Sequence, residues 1–198
     1  MTRLALLLTG AVATLVFAAV VLVVLPLTSL ENVAPSAKLK PYAGTVARGR
    51  QIYVREGCIY CHSQQVRDPA LANDERRGWG RPSVPTDYSY DSPHLLGTMR
   101  TGPDLVNVAT RLPDRRWHLV HLYQPRAIAP WSVMPSFPYL FEIKDRAGPD
   151  EQALVLPPNI APRGKVVVAT AEANALVDYL LSLDRSFEPA LPRQEPDR

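Results

Sequence analysis

Two cysteines stand three positions apart in the segment REGCIYCHSQQ, and a histidine follows the second of them. They are Cys58, Cys61 and His62, and the chain has no other cysteine. Two thiols on one turn of backbone can each add to one of the two vinyl groups of a single haem, while the adjacent histidine binds the iron. This chemistry requires all three residues, so the motif constrains the chain more than any other feature. It predicts one covalently bound haem c.

Two other chemistries use paired cysteines and remain alternatives. A redox-active dithiol is expected beside a strand–helix unit, with its first cysteine at a helix N-terminus, whereas Cys58 follows a predicted helix. A zinc site needs two further ligands at close spacing, and no later histidine forms a tight pair with a cysteine. A disulfide at this spacing would close only a tiny loop and constrain the unfolded chain little.

The iron of such a haem has a second axial position, which a residue downstream of the motif can occupy. Met134 lies in WSVMPSFP, an irregular, proline-bounded stretch before the last predicted helix. We therefore predict His62 and Met134 as the two iron ligands. An open position would instead indicate a haem enzyme or gas sensor. The other candidate ligands are Met99, His94, His118 and His121.

An uncharged apolar run extends from Leu4 to Leu25. A membrane-spanning helix needs about 20 apolar residues, whereas the apolar core of a cleaved signal peptide has only about 7–15. We predict an uncleaved, single-pass anchor, with the signal peptide as the alternative. Arg3 is the only charge before the run. Because positive charge stays on the cytoplasmic side, the N-terminus is expected in the cytoplasm and residues 31–198 in the periplasm.

The charge balance argues against nucleic acid as a partner. The net charge of +3 includes Arg3, which leaves +2 for the exported part (3 − 1). No dense lysine and arginine stripe is present, as a nucleic-acid-binding surface would require.

Hydrophobic periodicity predicts a mainly α domain. Helices are expected at about 46–56, 114–122 and 171–183, the last with apolar residues at i, i+3, i+4 and i+7. Prolines interrupt most of the remaining chain. The predicted organisation is an anchor at 1–30, a tether at 31–43, a haem domain at 44–187 with loop insertions at 63–100 and 145–165, and a flexible tail at 188–198.

The order of these features resembles a class I cytochrome c. It comprises a helix, C-x-x-C-H, GPDL, a methionine followed by proline, and a final helix with VDYLLSL. The resemblance implies that the first helix of the haem domain crosses the last, with Gly49 and Tyr53 facing Tyr179. It also implies that the carbonyl of Pro103 accepts a hydrogen bond from the His62 ring and orients it.

Longer segments narrow the resemblance. The stretches GRQIYVREGCIYCHSQ, YSYDSPHLLGTMRTGPDL, WHLVHLYQPR and MPSFPYL are similar to the mono-haem subunit, subunit II, of cbb3-type cytochrome c oxidases. The similarity extends from the N-terminal span to about Leu140. It implies a bacterial inner-membrane protein of the aerobic respiratory chain. Arg100 and Arg111 are then candidate partners of the haem propionates.

That family implies a function in electron transport. A soluble donor cytochrome or a further cytochrome c subunit would reduce the haem of this chain. The electron would then pass to a multi-span, haem-containing catalytic subunit that reduces oxygen. The chain would have no catalytic site of its own and would act as an enzyme only within the oxidase complex. The alternative is a free-standing anchored cytochrome c, or a subunit of a different respiratory complex.

Overall fold

The computed structural model describes residues 2–30 and 35–189. The described residues group into two compact units. One unit holds residues 2–30, 35–39, 84–89 and 188–189, and the other holds residues 40–83 and 90–187. Residues 31–34 of the predicted tether and 190–198 of the predicted tail lie outside the described residues.

The first unit contains the apolar N-terminal helix. Helix α1 spans Arg3–Ala19, and a π-helical turn at Val20–Val24 continues it into α2, Leu25–Leu30. Thr2 caps the start, its hydroxyl oxygen accepting from the Ala5 amide at 3.4 Å. The stretch Arg3–Thr28 is long and apolar enough to cross a membrane, and none of it is buried within the protein. One such helix fits a membrane anchor.

The regular secondary structure of the second unit is mainly helical, which confirms the prediction of a mainly α fold. Its helices are α3, Gly44–Arg55, α4, Val108–Arg111, α5, Arg115–Tyr123, and α6, Ala171–Ser182. Short 3-10 turns occur at Cys58–Tyr60, Glu75–Arg77, Pro125–Ala127 and Pro138–Leu140. A two-stranded antiparallel sheet pairs β1, Phe141–Lys144, with β2, Val166–Ala169.

Helices α3 and α6 cross at the centre of the core, as the resemblance to class I cytochromes implies. Gly49 has no side chain, and a Cβ there would lie 2.8 Å from the Cβ of Tyr179 and collide with the backbone of Ala175. One turn further along α3, the Tyr53 ring meets the Tyr179 ring edge-on at 5.4 Å. The glycine therefore lets the two helix backbones approach closely enough for the aromatic rings to interlock.

Local sequence explains how α6 begins and which face it buries. The Thr170 hydroxyl oxygen accepts a hydrogen bond from the Ala173 amide at 3.3 Å. The Glu172 carboxylate lies in the first turn, where its negative charge interacts favourably with the helix dipole. Among the buried side chains are those of the predicted apolar stripe: Ala173, Leu176, Val177 and Leu180. Burial of this stripe anchors α6 across the core.

The sheet pairs the two segments that flank the predicted insertion at 145–165. Phe141 pairs with Ala169 and Lys144 with Val166, so the chain leaves the core on β1 and returns on β2. Leu154 within the insertion donates its amide to the Val167 carbonyl at 2.8 Å, and its side chain packs on the core. The sequence analysis did not predict these strands, because four-residue segments show no clear period-2 pattern and pair through contacts distant in sequence.

Candidate haem site

One cavity of about 410 Å³ brings the predicted haem ligands together. Cys58, Cys61, His62 and Met134 all lie on its wall. The remaining wall is mainly apolar and comes from α3, α4, α5, α6 and the GPDL segment. Its apolar members include Tyr53, Leu105, Val108, Leu112, Leu122, Phe137, Leu176 and Leu180. A water-poor lining with a few polar groups is what a bound cofactor requires.

A sharp turn after α3 places the motif on this wall. Gly57 adopts a left-handed conformation at φ 73°, and one 3-10 turn, Cys58–Tyr60, follows it. The carbonyl of Cys58 accepts from the amides of Cys61 at 3.2 Å and His62 at 3.0 Å. The two thiols and the imidazole therefore come from one compact turn, which suits attachment and ligation of a single haem.

The His62 ring is oriented by the GPDL segment. Its Nδ1 donates to the Pro103 carbonyl oxygen at 2.7 Å, which leaves Nε2 as the nitrogen available to a metal. Gly102 makes this position possible, because a Cβ there would lie 2.7 Å from Nδ1. Burial lowers the pKa of His62, although the bond to Pro103 opposes that shift. The ring is therefore neutral at pH 7, as iron ligation requires.

The thiols do not resemble those of a redox dithiol. Burial, followed by the nearby Glu56 carboxylate, raises the pKa of Cys58 to about 12. A dithiol oxidoreductase instead relies on a thiolate stabilised at a helix N-terminus or beside a cation. Cys58 is half-buried, Cys61 is exposed, and both thiols are free. These properties argue against a redox-active dithiol at this site.

Met134 is held by the loop that follows α5. Its amide donates to the Ser132 hydroxyl oxygen at 3.2 Å, and the Arg126 guanidinium donates to the Ser132 carbonyl oxygen at 3.0 Å. The Phe137 amide then joins the loop to the Leu122 carbonyl oxygen at 2.9 Å. The Met134 side chain is half-buried against the core, so the thioether is presented from a fixed loop.

The other candidate ligands divide into two groups. His118 and His121 also line the cavity, whereas His94 and Met99 are not among the described residues on its wall. His118 donates Nε2–H to the Leu112 carbonyl oxygen at 2.8 Å. The His121 ring stacks on Trp117 at 4.7 Å, and its buried Nδ1 has no hydrogen-bond partner within residues 2–30 and 35–189. Burial, then His62 and His118, lowers the pKa of His121 to about 4.

The sequence matches the family model described as cytochrome C oxidase, mono-heme subunit/FixO, over residues 1–156. The chain belongs to this family. The match includes the C-x-x-C-H motif, the GPDL segment and Met134, and it confirms the resemblance to an oxidase mono-haem subunit. The chain is therefore a subunit of a cytochrome c oxidase complex, functions in electron transport, and is expected to bind a haem. A comparison with curated proteins finds no match.

The cavity of this FixO-family chain fits a haem by its donor set. One neutral histidine and one methionine on its wall are residue types that can serve as axial ligands, and two nearby thiols are available for attachment. Arg111 also lines the cavity, and its buried Nε has no hydrogen-bond partner among the described residues. The Nε of Arg111 and the Nδ1 of His121 are thus polar atoms on a mainly apolar wall that the described part of the chain leaves unsatisfied. A carboxylate-bearing cofactor could satisfy them.

The two arginines that the sequence analysis proposed as haem partners have different surroundings in the structure. Arg111 donates to the Asp104 carbonyl oxygen, and burial lowers its pKa. Arg100 lies outside the described lining of the cavity and bonds instead with Ser63, Gln65 and Asp74. Its predicted role at the propionates stays a prediction.

Sequence reasoning missed several residues of this site. Gly102, Trp117 and Asp104 received no role, yet the first two line the cavity and the third is fully buried in the GPDL segment. The available signal was the position of Asp104, directly after Pro103. A buried carboxylate must be hydrogen-bonded. Two of its partners, Ser63 and Gln65, lie 41 and 39 positions earlier in the chain, where sequence alone does not identify them.

Proposed function

We propose that this chain carries one haem c, attached through thioether bonds to Cys58 and Cys61 and ligated by His62 and Met134. The observation that supports this most strongly is the single cavity whose wall holds all four side chains, with the second His62 nitrogen committed to Pro103. When bound, the haem supplies a one-electron iron couple.

The residues around the cavity have distinct roles in this proposal. The apolar side chains of α4, α5 and α6 exclude water, which tunes the potential of the iron. Burial keeps His62 neutral, and the hydrogen bond to Pro103 orients its ring. Met134, through its thioether, raises the potential relative to a second histidine. Arg111 would bond a haem propionate.

We propose that the chain relays electrons within the oxidase. A donor cytochrome or a further cytochrome c subunit would reduce it, and the multi-span catalytic subunit would oxidise it. The chain itself would carry out no oxygen chemistry. Domain boundaries would be an anchor at 1–30, a tether at 31–43, a cytochrome domain at 44–187 and a tail at 188–198. The anchor would lie in the bacterial inner membrane, with the N-terminus cytoplasmic and the haem domain periplasmic.

Purification from membranes in mild detergent tests the relay. We expect a multi-span haem-containing subunit to co-purify, and a haem that survives acidic acetone extraction and gives the pyridine haemochrome spectrum of haem c. Extractable haem would contradict thioether attachment. Elution of the haem-bearing chain alone would favour the free-standing cytochrome instead.

Substitution of the sixth ligand tests the iron site. Met134→Ala should let the ferrous haem bind carbon monoxide readily and should lower its reduction potential, because a thioether ligand is lost. Met99→Ala is the matched control, since Met99 is 60 % exposed and is not among the described cavity residues. A wild-type spectrum that already shifts on addition of carbon monoxide would contradict Met134 ligation.

A further inference from the structure

Arg100 joins three segments of the chain behind the haem site. Its Nε donates to the Ser63 hydroxyl oxygen at 2.7 Å, one terminal nitrogen donates to Asp74 Oδ1 at 2.6 Å, and the other donates to the Gln65 carbonyl oxygen at 2.6 Å. The guanidinium also lies over the Trp79 ring at 5.2 Å. All three of its nitrogens are thus committed to the protein.

The contacts of Arg100 extend through Ser63 to Asp104. The Ser63 hydroxyl donates to Asp104 Oδ2 at 2.6 Å, and the Gln65 amide donates to the same oxygen at 2.7 Å. The Val106 amide donates to Oδ1 at 2.9 Å. Ser63 and Asp104 are both 0 % exposed, so these hydrogen bonds form in a low-dielectric interior. Breaking one would leave a buried group unsatisfied.

These residues flank the hydrogen bond that orients the axial histidine. Ser63 directly follows His62, and Asp104 directly follows Pro103. The Ser63–Asp104 bond therefore joins the neighbours of both members of the His62–Pro103 pair. Two backbone bonds reinforce the connection: the Gly102 amide donates to the Cys61 carbonyl oxygen at 2.9 Å, and the Leu105 amide donates to the Ser63 carbonyl oxygen at 2.8 Å.

Asp74 holds the far side of Arg100. Its Oδ1 accepts from Arg100, and its Oδ2 accepts from the Arg67 amide at 2.8 Å. Burial by itself raises the pKa of Asp74, but the bonds from Arg100 and Arg67 outweigh burial and lower the pKa below its usual range. Asp74 is therefore ionised and hydrogen-bonded at neutral pH. It fixes the guanidinium from the loop that begins at residue 63.

We propose that Arg100 is a positioning residue for His62. Together with Asp74, Ser63 and Asp104 it forms a hydrogen-bonded chain, named here the Arg100 clamp, that fixes the segment carrying Pro103 against the segment carrying His62. The clamp sets the orientation of the imidazole and hence the reduction potential of the iron. This inference rests on the proposed haem ligation by His62. It assigns Arg100 a role through the protein rather than through contact with a propionate.

Charge-conserving substitutions test the clamp in the full-length, detergent-solubilised holoprotein. Arg100→Lys keeps the charge but cannot reproduce three divergent hydrogen bonds. We expect amide hydrogen exchange at Gly102 and Leu105 to become about tenfold faster, because a charge-assisted buried bond is lost. The reduction potential should shift in the same variant.

Arg77→Lys is the matched control. The Arg77 guanidinium lies over the same Trp79 ring at the same distance of 5.2 Å. Within the described part of the chain, its side chain makes no hydrogen bond to Ser63, Gln65 or Asp74. We expect unchanged exchange and an unchanged potential. If Arg100→Lys were indistinguishable from Arg77→Lys in both measurements, the clamp would be overturned.

A double-substitution cycle separates positioning from direct contact with the haem. Ser63→Ala removes one hydroxyl and breaks the clamp without changing a charge, so it keeps the proposal testable if Arg100→Lys fails to accumulate. We expect Ser63→Ala to shift the potential and the double variant to shift it no further than the larger single change. Additive shifts, or no shift in Ser63→Ala, would overturn the clamp.

The two readouts separate failure of this inference from failure of the proposed ligation. A wild-type protein without thioether-linked haem would overturn the proposed function, whereas the exchange rates would still test the clamp. A normal haem with unchanged exchange and potential in both clamp variants would overturn the clamp alone.

Discussion

Gly102 shows how one missing side chain sets the chemistry of the site. The His62 ring occupies the space that a Cβ at this position would fill, with Nδ1 at 2.7 Å and Nε2 at 2.8 Å from the Cβ position. The same ring must stay where Nδ1 reaches the Pro103 carbonyl oxygen. Because residue 102 is a glycine, the histidine ring can approach the backbone closely. The Pro103 carbonyl oxygen then accepts a hydrogen bond from the ring, and the Asp104 carboxylate accepts one from the backbone that follows.

We expect Gly102→Ala to displace the His62 ring and weaken its bond to Pro103. The overpacking should reduce the free energy of unfolding by about 1–3 kcal/mol and shift the reduction potential. Urea unfolding and redox titration of the holoprotein would measure both effects. Gly148→Ala is the control, since a Cβ there meets only the flexible end of Glu151, at 3.1 Å. Equal behaviour of the two variants would contradict a special role for Gly102.

Helix positions followed from local patterns, but the helix contacts did not. The predicted helices at 46–56, 114–122 and 171–183 agree with α3, α5 and α6 to within two residues at each end. The N-cap residue Thr170 and the apolar stripe of α6 are local features, so they can be recognised in the sequence. The crossing of α3 and α6 depends on which faces meet, and the resemblance to class I cytochromes supplied that information.

Gly49→Ala tests the helix crossing. Helix propensity alone would make alanine stabilising by about 1 kcal/mol, yet its Cβ would collide with Ala175 and lie 2.8 Å from Tyr179 Cβ. The cost of the steric clash should exceed the gain in helix propensity, and we expect a loss of about 1–3 kcal/mol in the free energy of unfolding. Gln51→Ala, on the exposed face of the same helix, should change it by less than about 0.5 kcal/mol. A stabilised Gly49→Ala variant would refute the close crossing.

At the scale of the whole molecule, the N-terminal helix and the domain that follows it suit different surroundings, the helix lipid and the domain water. The apolar stretch Arg3–Thr28 leaves its large side chains exposed, among them Leu15 and Phe17. Such a surface is costly in water and favourable in lipid. The domain that begins at α3 instead buries its apolar side chains in a core of its own. The chain therefore suits an electron carrier kept at a membrane.

Charge placed in the middle of the apolar helix should release the protein from the membrane. An arginine at the centre of a membrane-spanning helix raises the free energy of insertion by about 2.5–3.5 kcal/mol. The double variant Leu15→Arg, Val16→Arg should therefore leave the membrane fraction after an alkaline wash. Leu15→Val with Val16→Leu keeps the composition and should stay in the pellet. A mature wild-type chain whose mass lacks this segment would show a cleaved signal peptide instead.

The sequence by itself determined the mainly α character and the apolar N-terminal helix and predicted the cofactor chemistry, because each depends on local spacing or periodicity. Cys58, Cys61 and His62 lie within five consecutive positions, and Met134 is marked by its proline-bounded loop. Only the tertiary structure decided that Arg100 bonds with Ser63 and Asp74 while Arg111 lines the cavity. Arginines look alike in sequence, and their partners lie 7 to 37 positions away. Hydrogen bonds between distant segments are set by how the chain packs, and no local pattern records them.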